Sequence, residues 1–122
     1  MRAGRATDER KSAVALDASR PPSVCLGEVS PAARDQYRQL RTTLIATGPL
    51  DAATCELINV VGFAMLGYEI SFKVHAKRLV DGGMAKAAIQ QAVIATLGAT
   101  TVLYQVARAL DWIDEMFAGD PG

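Results

Sequence analysis

The chain has no excess of either charge, a single histidine, two cysteines and no long hydrophobic run, and each shortage closes off a class of function. Thirteen basic and thirteen acidic residues cancel. No basic field exists to attract nucleic acid, and near-neutral charge favours association over colloidal repulsion. No nucleic-acid partner is expected. No stretch reaches the ~20 uninterrupted apolar residues that span a bilayer, so no membrane partner is expected either. The opening residues, MRAGRATDERKSAVALDASRPPS, alternate charged and small side chains without an apolar run of signal-peptide length. Cytoplasm is the expected location, and in that reducing compartment Cys25 and Cys55 are expected as two unpaired thiols. With one histidine and no adjacent cluster of His, Cys or carboxylate, three or four ligands cannot be assembled. Neither a metal nor another cofactor is expected.

What remains is a chain of 122 residues, half of them apolar and 21% charged. That balance belongs to a globular domain, long enough to bury roughly two-thirds of its unfolded surface. Residues 1–28 read as a tail, flexible or packed on a neighbour: charge-mixed, then SRPPS, with few apolar anchors. Residues 29–119 read as one all-α domain. Ser30 is placed to cap a helix with Pro31 at its first position. That helix carries Tyr37, Leu40, Leu44 and Ile45 on one stripe and ends near Gly48-Pro49. Asp51 caps the next, which runs to about Gly67. Its apolar positions nearly encircle it, predicting a central, buried helix. A third is predicted from Ile70 to Val80, stopped by Gly82-Gly83. The rest is one long helical segment with Gly98 as its break. No alternating strand pattern occurs. Between Ala87 and Phe117 apolar residues fall on every face, more than a monomer of this size can bury. A homo-oligomer is expected: a dimer, a trimer, or a hexamer built as a trimer of dimers.

The stretch GYEISFKVH holds the only histidine. Tyr68, Ser71 and His75 are spaced three and four, so on a helix they share a stripe. An imidazole near its ordinary pKa of ~6.5 exchanges protons at neutral pH. Tyrosine and serine hydroxyls orient a substrate oxygen, and the first turn of the helix offers free N–H groups to a developing oxyanion. A histidine in such a setting is also often a structural residue satisfied by its neighbours. A Ser–His–Asp hydrolase is a poor fit: Ser71 and His75 are one turn apart, no nucleophile elbow is present, and strands are lacking. The second ionisable candidate is Glu56, in ATCELINVV. A carboxylate in an apolar helix needs a partner if it is buried. In a solvated first turn, the helix dipole alone would favour it.

These residues together resemble a known family, the alkylhydroperoxidase D and carboxymuconolactone decarboxylase group, over roughly residues 29 to 117. SPAARDQYRQLRTTLIATGPLDAATCELI is similar to that family's lead helix, Gly-x-Leu-Asp turn and helix bearing Glu-Leu-Ile. Nineteen residues after the glutamate the family places a histidine, ending the motif Cys-x-x-Cys-x-x-x-His; here Glu56 and His75 are 19 apart. AKRLVDGGMAKAAIQQAV resembles the continuation. The departure is at Tyr68 and Ser71, where YEIS replaces Cys-x-x-Cys. In members with the full motif, glutamate and histidine relay protons to an attacking thiolate, chemistry that tyrosine and serine cannot perform.

The resemblance therefore implies an all-α fold of the alkylhydroperoxidase D-like kind and a site location more than it implies peroxidase activity. Branches without the cysteine pair act on small carboxylated lactones without redox chemistry. On that pattern the expected function is a cofactor-free acid–base enzyme for a small oxygenated metabolite: a decarboxylase, an isomerase or a lactone-acting lyase. His75 would supply the proton, Glu56 would tune it, Tyr68 and Ser71 would hold the substrate oxygen, and Lys73 and Arg78 would clamp a carboxylate. The alternatives are a thiol-dependent alkylhydroperoxidase using Cys25 or Cys55, and a non-catalytic oligomeric relative. Glu56 lies eleven residues before Gly67 and His75 eight after it. In a simple hairpin that leaves them offset by roughly 5 Å. Their contact would then require a steep crossing, a bridging water or another subunit.

Overall fold

The computed structural model describes residues 22 to 118. Six helices fall in that span: α1 (Pro22–Val29), α2 (Pro31–Ala46), α3 (Ala52–Leu66), α4 (Glu69–Asp81), α5 (Lys86–Ile94) and α6 (Leu103–Phe117). Among the described residues there is no strand, only an isolated bridge between Leu97 and Thr101. The fold is all-α, and among the described residues no helix is long and apolar enough to cross a membrane. The chain divides into two compact units after Tyr37, inside α2.

In the first unit, α1 occupies the end of the segment expected as a tail; residues 1–21 of that tail lie outside the described residues. Gly27 is the one buried residue of α1. The Arg34 side chain passes so close that a Cβ at Gly27 would sit 2.7 Å from Arg34 Cδ. Ser30 caps α2 as its sequence implies: its hydroxyl accepts from the Ala33 N–H at 3.1 Å, and Pro31, lacking an N–H, opens the helix.

The second unit is built on α3 to α6. The Asp51 carboxylate accepts from the Thr54 N–H at 2.7 Å and caps α3. Gly67, at φ 79°, ends that helix in the left-handed region and returns its N–H to the Phe63 carbonyl. The carbonyls at this end are met from α6, where Gln105 donates to Met65 O at 3.0 Å and Arg108 to Ala64 O at 3.4 Å. The long C-terminal segment breaks where a glycine permits it. Gly98 takes φ 83°, and the Thr96 and Thr101 hydroxyls pair at 2.8 Å across the turn.

The core draws on all four helices at spacings of three and four: Val60 and Ala64, Phe72, Ala76 and Leu79, Ile89 and Val93, and Val106, Ala109, Trp112 and Ile113. Phe72 and Trp112 form its aromatic centre, ring centroids 5.3 Å apart. The most extensive helix packing is that of α3 on α4, which fixes the site described below.

Two expectations about burial need correction. The helix predicted to be buried all round, α3, is buried on one face only, at Val60 and Ala64. Ile58 and Leu66, on the opposite side, are 56% and 63% exposed. Three partner helices cover one side of a fourth and no more. The apolar residues of the last segment do not fall evenly either. Helix α6 turns one face to the core, and the uncovered side chains gather between Ile94 and Tyr104, where Leu97, Val102 and Leu103 are also exposed. The stripe on α2 is uncovered as well: no α2 residue is buried.

Candidate functional site

Glu56 lies one turn into α3, on a face that begins with Ala52 and Ala53 at the helical spacings of four and three. His75 lies in the middle of α4. Their side chains are 13% and 20% exposed, and His75 Nδ1 is hydrogen-bonded directly to Glu56 Oε1. The offset expected along a simple hairpin does not keep them apart: neither a bridging water nor another subunit is needed for contact. The His75 ring rests on Phe63, centroids 4.9 Å apart at 46°. Phe63 is seven residues beyond Glu56, two turns along the same side of α3. The pair is thus backed by an aromatic ring and held at the tightest helix junction of the unit.

A second cation reaches the same oxygen. Arg78 Nη1 is 3.9 Å from Glu56 Oε1, and the arginine side chain is 58% exposed. One carboxylate therefore carries a half-buried imidazole on one side and a solvent-facing guanidinium on the other. Burial pushes the His75 pKa below its ordinary value of 6.5, against the upward pull of the Glu56 charge; the positive charges of Arg78 and Arg41 push it down further. The imidazole at neutral pH is then uncharged. An ionised carboxylate only accepts, so Nδ1 carries the proton and Nε2 presents its lone pair. Among the described residues Nε2 has no hydrogen-bond partner. This is the arrangement of a general base whose tautomer is set by its neighbour.

An open groove of about 480 Å³ reaches the Glu56 side of the pair; His75 itself is not among its walls. Its walls are Ala52, Ala53 and Glu56 from α3, Arg78 and Leu79 from α4, and the Gly82-Gly83-Met84 turn. Small and apolar walls with one carboxylate and one guanidinium suit a small ligand that is mostly carbon with a few oxygens. No group of three or more His, Cys, Asp or Glu among the described residues is placed to hold a metal ion.

The remaining residues singled out from the sequence are not gathered here. Tyr68 precedes α4 as its cap residue, 54% exposed, with its ring 6.3 Å from that of Phe63. It shares Phe63 with His75 but does not line the groove. Ser71 is half-buried and makes no side-chain hydrogen bond among the described residues. Lys73 is turned to another partnership, with its ammonium 2.8 Å from both Glu69 and Glu115. Cys55 adjoins Glu56 in sequence, but successive helical residues point about 100° apart. Both Cys25 and Cys55 are free and half-buried. Phe63, Arg41 and the groove walls were not anticipated. Phe63 was legible in principle as Glu56 plus seven, and Gly82 as Arg78 plus four; Arg41 carried no signal. Comparisons with protein families, with curated proteins and with solved structures find no match for this chain.

Proposed function

We propose that the chain is a cofactor-free acid–base enzyme acting on a small oxygenated metabolite. In this reading it has the alkylhydroperoxidase D-like helical fold and is a carboxymuconolactone decarboxylase-like protein without the redox cysteines. The observation that carries it is the direct Glu56–His75 pair beside a groove. His75 Nε2 removes a proton from carbon next to a carbonyl, and Glu56 stabilises the imidazolium that forms. Arg78, at the groove, holds the oxygen on which negative charge develops. Returning the proton to a different carbon isomerises the substrate; in a decarboxylation the electron pair left on carbon by departing carbon dioxide takes a proton from the imidazolium, which solvent resupplies. Because burial favours the neutral imidazole, the base role comes first in the cycle. In this reading Tyr68 and Ser71 stay outside the first contacts, and Arg78 serves as the clamp because Lys73 is engaged by Glu69 and Glu115.

The test is NMR of the sole imidazole between pH 5 and 9, in wild type and Glu56→Gln. His75 should titrate below its ordinary value, and the substitution should lower it further, since the upward pull of the carboxylate is gone. An imidazole that is silent, or unmoved by the substitution, would overturn the acid–base reading and leave His75 as packing.

A further inference from the structure

We infer that two copies of this chain associate face to face through the outward side of α3, crossing at Gly62. The inference is independent of the chemistry proposed above, because the face concerned is centred about 120° around the helix from Glu56. On a helical wheel the buried residues Val60 and Ala64 centre one side of α3, and Gly62 falls at the middle of the other. Ile58 and Leu66 flank it one turn away on either side, 56% and 63% exposed.

Three features point to a second copy as the occupant. The first is Gly62 itself. A glycine inside a helix is the weakest helix former short of proline, and a Cβ at this position would meet nothing within 4 Å. Nothing among the described residues demands a glycine there. A second backbone passing close over that point would, and a close crossing is what mid-helix glycine permits.

The second is charge. The only charged residue of α3 is Glu56, and it faces His75. A face that meets its own copy across a two-fold axis sets each charge against an identical one, so a charge-free stripe is the kind that can pair with itself.

The third is area. Past Met65, which contacts Thr100 at 3.5 Å and Gln105 at 3.0 Å, the stripe borders the exposed residues Val102, Leu103 and Tyr104. With Ile58 and Leu66 these make five large apolar or aromatic side chains that are each more than half exposed, the kind of surface that the core of an interface covers. Residues 1–21 are a poor substitute as cover. They carry eight charged side chains and only the short apolar run AVAL.

The test measures mass in solution by sedimentation or light scattering, for wild type, Ile58→Glu and Gly62→Leu, with helix content followed by circular dichroism. Wild type should be dimeric, or a larger assembly containing this contact. Ile58→Glu buries a charge from each copy and should weaken the association on the order of 100-fold. Gly62→Leu should also drop to a smaller species while keeping or raising its helix content, since the side chain fits the isolated chain and favours the helix. A monomeric wild type would overturn the proposal, showing that another segment of the chain covers the face or that nothing does. So would an assembly whose mass neither substitution changes, which would place the contact elsewhere.

Discussion

Replacing His75 by alanine tests the stability of the Glu56–His75 pair apart from any activity. The substitution removes the hydrogen bond to a carboxylate that is 13% exposed, an interaction of roughly 1.5–3 kcal/mol when one partner is charged. It also removes the ring contact with Phe63, at 4.9 Å, which is in the range of about 0.5–1.5 kcal/mol. Arg78, still 3.9 Å from the same oxygen, offsets part of the loss. A destabilisation of about 2–4 kcal/mol at pH 8 is expected, read by urea unfolding with the fluorescence of Trp112, the only tryptophan.

The pH dependence sharpens the test. The folded protein holds the His75 pKa below 6.5, so as pH falls below that value the unfolded chain binds a proton the folded one resists. Wild-type stability should therefore drop between pH 8 and 5.5, by no more than ~1.4 kcal/mol per pH unit for one group. His75→Ala should lose that component of the slope, and its deficit relative to wild type should narrow at the lower pH. A deficit under ~1 kcal/mol at pH 8, or one that widens on acidification, would refute the reasoning.

Two further outcomes follow from packing and from charge. Phe72 is fully buried against Trp112, so Phe72→Ala should cost about 3–5 kcal/mol in the same unfolding assay; a loss below 2 would mean the core collapses into the space. Lys73→Met should cost less than ~1 kcal/mol despite breaking two ion pairs, because both partners, Glu69 and Glu115, are more than half exposed. The same variant should leave the His75 titration in place, and a displaced titration would return Lys73 to the site.

The helices were legible because their signals are local. Ser30 and Asp51 cap through their own side chains three residues along, and Gly67 and Gly98 stand where the backbone turns left-handed. Such features depend on a few neighbouring residues and survive without knowledge of the rest of the chain. Glu56 and His75 were legible as candidates for a related reason: an ionisable group in an apolar helix needs a partner, and the chain offers only one histidine. Their contact was not legible, since the spacing left them offset and only the packing of α3 on α4 closes the gap. Where Tyr68 and Ser71 would lie was not legible either, because sharing a helical stripe says nothing about which neighbour the stripe faces.

The amino-acid sequence by itself determined that this chain is helical, where most of its helices begin and end, and that Glu56 and His75 are the residues to watch. Periodicity, capping chemistry and composition act over one or two turns and leave a record in the order of residues. Tertiary structure alone decided that Arg78 rather than Lys73 joins the carboxylate, that Phe63 backs the imidazole, and that α3 is half open. Those outcomes depend on helix crossings, in which a small rotation exchanges one neighbour for another. Burial is likewise a property of what remains to cover a face, and no single helix carries that information.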